Sequence, residues 1–118
     1  PAPAQAALAV ECRDGDAATL ALLAPLDHAP TRRCTAAERA MNRALDGSCH
    51  VPVAAFASEV PAGLHLRGLV GSAADGRIVR AEAVMAEDRA EALGQRVAAA
   101  LLAAGAAALI RASDPAAG

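Results

Sequence analysis

Between residues 51 and 84 the apolar pattern leaves helical spacing, and the breaks between its runs are too short for crossover connections. That feature constrains the chain most, because short breaks join only antiparallel neighbours. Residues 51–57 read as a strand, with Pro52 near its start, where a missing donor is tolerated. Val60-Pro61-Ala62-Gly63 is a turn, residues 64–70 are a second strand, and Asp75-Gly76 is a strong hairpin signal before a third strand over 78–84. Three strands in this order form an antiparallel meander.

Helical spacing flanks the meander. Asp16 is placed to cap a helix of about two turns through Ala17, Leu20 and Leu23, ended by Pro25. Pro30 suits the first turn of a second helix, which runs to about Leu45 with Cys34, Ala37, Met41 and Leu45 on one face. Arg32, Arg33, Arg39 and Arg43 take the other faces, and Gly47 is placed to end the helix. Asp88 and Glu91 resemble a capping box for a third helix, with Leu93, Val97, Ala100, Leu101 and Ala104 on its apolar face. Gly105 stops or kinks it, residues 106–112 add a short helical turn, and residues 113–118 form a tail. The expected fold is α+β: a three-stranded antiparallel sheet covered on one face by about three helices. Its other face then needs polar residues or a partner.

The core must be built without aromatic bulk. Apolar residues are 55% of the chain, yet there is one Phe and no Tyr or Trp. Leu, Val, Ile and Ala methyl groups must therefore fill the interior. A net charge of −2 and the missing aromatics argue against nucleic-acid binding. No uninterrupted apolar run reaches the roughly 18 residues of a membrane span. The expectation is no membrane partner and a cytoplasmic protein. Cys12, Cys34 and Cys49 are odd in number and widely spaced, which fits reduced thiols better than a disulfide scaffold. They lack Cys-x-x-Cys spacing, so no metal site is expected.

Cys49 is the most informative residue. It lies in Gly47-Ser48-Cys49-His50, between a helix end and a strand, where a thiol can be presented on a loop. A partly buried, satisfied cysteine fits the same local features. Cys12 and Cys34 fall on apolar faces and read as packing residues. Glu38 beside Arg39, and Glu82 near Arg80, read as solvated charges. No Gly-rich phosphate loop or serine nucleophile elbow is present.

Several separated blocks resemble the porphobilinogen deaminase (hydroxymethylbilane synthase) family. Thr35 through Ala40 and then Gly47-Ser48-Cys49-His50-Val51-Pro52 are similar to its Thr-Ala-Glu-Arg-Ala and Gly-Gly-Cys-Gln-Val-Pro motifs. The opening Pro1-Ala2-Pro3-Ala4-Gln5-Ala6-Ala7-Leu8 with Glu11-Cys12-Arg13, Leu66-Arg67-Gly68-Leu69-Val70-Gly71, Asp75-Gly76 and Glu91-Ala92-Leu93-Gly94 follow in the family's order. The likeness covers nearly the whole chain but only about the last third of a family member. The chain is therefore read as an excised piece, as its start at Pro1 without Met also suggests.

The resemblance implies a transferase that condenses four porphobilinogens into hydroxymethylbilane on a dipyrromethane primer. The primer is tethered to a cysteine of the C-terminal domain through a thioether. By position Cys49 is that cysteine, with Gly47 and Ser48 in its loop and Gln5 as a cofactor-cleft contact. Ala4 and Ala6 stand where the family has glycines, Ser48 replaces a Gly, and His50 replaces a Gln. The family's catalytic Asp and its acid-binding Arg and Lys residues fall outside this chain, so no catalytic residue is expected in it. Residues 1–24 are expected to cross back into the missing first domain, and residues 25–118 to form the cofactor-attachment domain. The missing N-terminal domains are expected partners, the parent is expected to be monomeric, and the excised piece is open to self-association. It is expected to be inactive and to lack the dipyrromethane. The alternative reading is a non-catalytic α+β interaction or regulatory module.

Overall fold

The structure is a computed structural model that describes residues 14–45, 52–72 and 76–112. Its order is α1 (Ala17–Leu23), α2 (Ala29–Ala44), β1 (Val53–Val60), β2 (Gly63–Gly71), β3 (Ile78–Met85), α3 (Ala90–Leu101) and α4 (Ala107–Ala112). The strands form one antiparallel sheet in the order β1-β2-β3. The expected α+β architecture is therefore present. The expected short strand over residues 7–10, and Gly47 as the end of α2, lie outside the described residues.

Local chemistry explains where most elements begin. Asp16 caps α1, its carboxylate accepting the Thr19 N–H at 3.0 Å. Pro25 sits in the short 3-10 turn Ala24–Leu26 that ends the segment. At α2 the cap is His28, whose Nδ1 accepts the Thr31 N–H at 3.3 Å. β1 runs to Val60, three residues beyond the expected end, because Glu59 and Val60 pair with Leu64 and Gly63. Gly63 turns the chain at φ 135°.

The capping box expected at α3 does not form. Arg89 is the N-cap, without a side-chain bond, and Glu91 instead reaches the Arg43 guanidinium at 2.7 Å. The helix starts one residue later than that spacing needs, so with Arg89 as the N-cap Glu91 falls at the second helical position and not the third.

The core lies between one sheet face and the α2–α3 pair. Leu64, Leu66, Gly68 and Val70 of β2 point into it, as do Ala55 and Ala57 of β1. Ala37, Met41 and Leu45 of α2 meet Leu93, Val97 and Leu101 of α3 there. Each fully buried Leu or Met contributes roughly 1.5–3 kcal/mol of transfer free energy. With no aromatic to fill space, the helices close in on each other. A Cβ added to Gly94 would lie 2.5 Å from the Ala37 carbonyl oxygen and 2.5 Å from the Ala40 Cβ. The α3 stripe is therefore Leu93, Gly94, Val97, Ala98 and Leu101, whereas the expected Ala100 and Ala104 are exposed.

Beyond α3 a π-type turn, Leu102–Ala106, leads into α4, with Gly105 at φ 112°. Leu109 of α4 returns to the core at 2% exposure. The stretch Ala90–Leu109 has 20 residues and contains an 18-residue window of mean hydropathy 1.5, so by length and composition it meets the criterion for a membrane span. Its apolar side is used by the sheet, since Leu93, Val97 and Leu101 are fully buried, and Gly105 kinks it.

Candidate functional site

The sequence directs attention to the α2–β1 connection. Gly47, Ser48, Cys49 and His50 lie outside the described residues, as do Gln5 and Cys12. The described residues on either side of that connection are well anchored. Leu45, the C-cap of α2, is 3% exposed, and its N–H reaches the Met41 carbonyl at 3.1 Å. The Pro52 carbonyl accepts the Gly71 N–H at 3.0 Å and extends the β1–β2 ladder by one bond. At the same end of the sheet, Ser72 donates to Arg77 at 2.8 Å and Gly76 to Ser72 at 3.0 Å, through backbone groups only.

Cys34 is the one cysteine among the described residues. It is half-buried on α2, packed against the core. Burial pushes its thiol up, and the neighbouring Glu38 and Glu59 carboxylates push in the same direction against a smaller opposing effect of Arg33. Such a thiol is a poor nucleophile at neutral pH. The packing role expected for Cys34 matches this environment.

Glu38 departs from the sequence reading. It is 7% exposed, not solvated, and its Oε2 accepts the Ala57 N–H at 3.0 Å. Position 38 lies four residues from Cys34 and three from Met41, so the helical spacing that picked out the buried face already included it. Its charge hid the signal. Close by, Arg33 of α2 donates to Glu59 of β1 at 2.5 Å and lies 3.8 Å from Glu87. These contacts tie the start of α2 to the far end of edge strand β1 and to the β3–α3 connection. Glu82, by contrast, lies on an exposed face as expected, and its partner there is His65, at 3.1 Å.

Among the described residues no three His, Cys, Asp or Glu side chains come together as a metal-binding group. Arg33 lies between Glu59 and Glu87, whereas Arg32–Asp27, Arg43–Glu91 and His65–Glu82 each join one basic side chain to one carboxylate. What the described scaffold supplies is a rigid frame on both sides of a short cysteine-bearing connection.

Comparison with known proteins gives this arrangement a context. The model of the family described as porphobilinogen deaminase, C-terminal domain, matches residues 32–103. The chain is 67% identical over 102 residues to a porphobilinogen deaminase of Stenotrophomonas maltophilia (strain K279a), which covers 86% of this chain and 34% of that protein. It is 60% identical over 110 residues to one of Xanthomonas euvesicatoria pv. vesicatoria (strain 85-10), covering 93% and 36%. For one of Xylella fastidiosa (strain M23), identity is 58% over 113 residues, covering 96% and 37%. The chain thus spans about a third of the length of the curated relatives it matches.

Proposed function

The chain belongs to the porphobilinogen deaminase family through its C-terminal domain, and on that premise we propose that it is the part of a hydroxymethylbilane synthase that holds the dipyrromethane primer on Cys49. In this reading the parent protein condenses porphobilinogen, is cytoplasmic and monomeric, and uses residues 25–118 as the attachment domain. Residues 1–24 cross to the remainder of the protein. The exposure of α1 supports that division: none of its residues is buried, and Leu22 is 79% exposed.

The observation that carries the proposal is the contrast between the cysteines. A thioether tether needs one thiol that ionises and can be reached. Cys34 is half-buried, desolvated and beside two carboxylates, so its thiolate is disfavoured. Cys49 falls in the connection between α2 and β1, beside the small residues Gly47 and Ser48, where a thiol can be presented on a loop. The donor chemistry of the chain fits a single thioether at Cys49. A bound dipyrromethane would supply a nucleophilic pyrrole carbon from which the product chain grows.

This chain's own residues do the holding. Cys49 supplies the sulfur, and Gly47 and Ser48 leave room beside it because their side chains are small. Leu45 and Pro52, on either side of the connection, are held by backbone hydrogen bonds to Met41 and Gly71. Gln5 is assigned to the cleft side of the group. The chain by itself is assigned no turnover of porphobilinogen, because the family's catalytic Asp and its acid-binding Arg and Lys residues fall outside it.

The test is intact-mass and peptide mapping of the full-length protein. A pyrrole-derived mass on the Cys49 peptide is expected, lost in Cys49→Ser and kept in Cys34→Ser. The same mass found on the Cys34 peptide would overturn the assignment.

A further inference from the structure

The sheet face turned away from the helices carries a groove of ligand size. Strand register places Phe56, Arg67 and Glu82 in one cross-strand row, and Ala54, Leu69 and Arg80 in the next. These six side chains line a groove of about 890 Å³. That lies within the ~300–1,000 Å³ typical of small-molecule sites. We propose that this groove binds a planar aromatic monocarboxylate, a role independent of the Cys49 tether.

Charge comes first. Neither Arg67 nor Arg80 forms an ion pair among the described residues. Glu82 faces Arg67 across the strands, but its Oε2 is taken by His65 Nε2 at 3.1 Å. The face therefore holds two guanidinium groups with donors to spare, in adjacent rows. A guanidinium fork matches a carboxylate bidentately. Glu82 lowers the local positive potential, which favours one negative charge over the two of a phosphate monoester.

Shape and polarity set the rest of the ligand. Leu69 and Ala54 form an apolar floor beside Arg80. The Arg67 guanidinium carbon lies 5.6 Å from the centroid of the Phe56 ring, so one wall of the groove is a stacked cation and ring. Phe56 is 44% exposed although it is the only aromatic side chain in the protein. A flat apolar body covers that ring and the floor while its carboxylate meets Arg80. An aliphatic acid would leave the ring uncovered, and a neutral aromatic would leave the arginines unpaired.

Titration of the chain with naphthoate, followed by amide nitrogen–proton correlation spectra, tests the proposal. Saturable shifts are expected at residues 54–56, 67–69 and 80–82, with a Kd below about 1 mM. Neutral naphthylmethanol should bind at least about tenfold more weakly, and Arg80→Gln should weaken naphthoate by about tenfold. All three side chains in the comparison are exposed, so Arg80→Gln, Arg67→Gln and the control Arg96→Gln should melt as the parent does. Shifts elsewhere, absence of saturation, equal binding of the neutral compound, or an Arg80→Gln variant that binds like Arg96→Gln would each overturn the proposal. Tighter binding of naphthyl phosphate would overturn the monoanion assignment.

Discussion

The Glu38 carboxylate, two turns into α2, accepts the backbone N–H of Ala57 on edge strand β1 at 3.0 Å. An edge strand leaves alternate N–H groups without a ladder partner. Here a buried side chain satisfies one of them and fixes helix to sheet at the same point. Because α2 and β1 flank the Cys49 connection, this bond also helps set the frame of the proposed attachment site.

Glu38→Ala should therefore destabilise the fold by about 1–3 kcal/mol, since it strands the Ala57 N–H in a site closed to water. Glu38→Gln keeps an acceptor oxygen and should lose less. Urea melts of the two variants check the order, and equal losses would show that the bond to Ala57 contributes nothing specific.

Gly94→Ala should cost more than about 2 kcal/mol even though Ala is the better helix former by about 1 kcal/mol. The new methyl would meet the Ala37 carbonyl oxygen and the Ala40 Cβ at 2.5 Å. Gln95→Ala, on the exposed side of α3, is the control and should leave the midpoint almost unchanged. Thermal melting of both variants provides the comparison.

The α1 cap should weaken in acid. The Thr19 backbone N–H bond, followed by the Thr19 side chain, holds the Asp16 carboxyl below its usual value of 3.8. A folded value below the unfolded one gives a contribution that is present above the unfolded value and disappears as pH falls through the folded one. The Thr19 amide shift should report loss of the cap below about pH 4. Asp16→Asn, which caps without a charge, should remove that pH dependence.

Cys34 should alkylate more slowly than a free thiol at neutral pH, because burial and two nearby carboxylates oppose its ionisation. Cys49 is expected to label faster than Cys34 in the native chain. Peptide mapping after brief iodoacetamide treatment gives the order, and faster labelling of Cys34 would refute the placement of Cys49 as the accessible thiol.

Elements whose signals are local were legible in the residues. Asp16 and Pro25 bracket α1, the spacing of Ala37, Met41 and Leu45 marks the buried side of α2, and alternation with Gly63 and Gly76 marks the meander. The family motifs around Cys49 were equally readable, since they are runs of adjacent residues. Less legible was everything that depends on a distant neighbour. Asp88 and Glu91 have the spacing of a capping box, but α3 starts one residue later, and Arg43, far away in sequence, takes Glu91. Ala100 and Ala104 satisfy the helical period as well as Gly94 and Ala98 do, and only the latter meet α2 and the sheet.

The sequence by itself determined the order and type of the elements, the aliphatic character of the core and the membership of a family. Those follow from hydrophobic period, turn residues and short motifs, which act over a few positions of the chain. Tertiary structure decided which side of α3 is buried, that Glu38 is a buried acceptor and not a solvated charge, and that His65 takes Glu82. It also brought Phe56, Arg67 and Arg80 from three strands onto one open face. Those outcomes depend on strand register and on how closely two helices approach, and neither is encoded within any single local window.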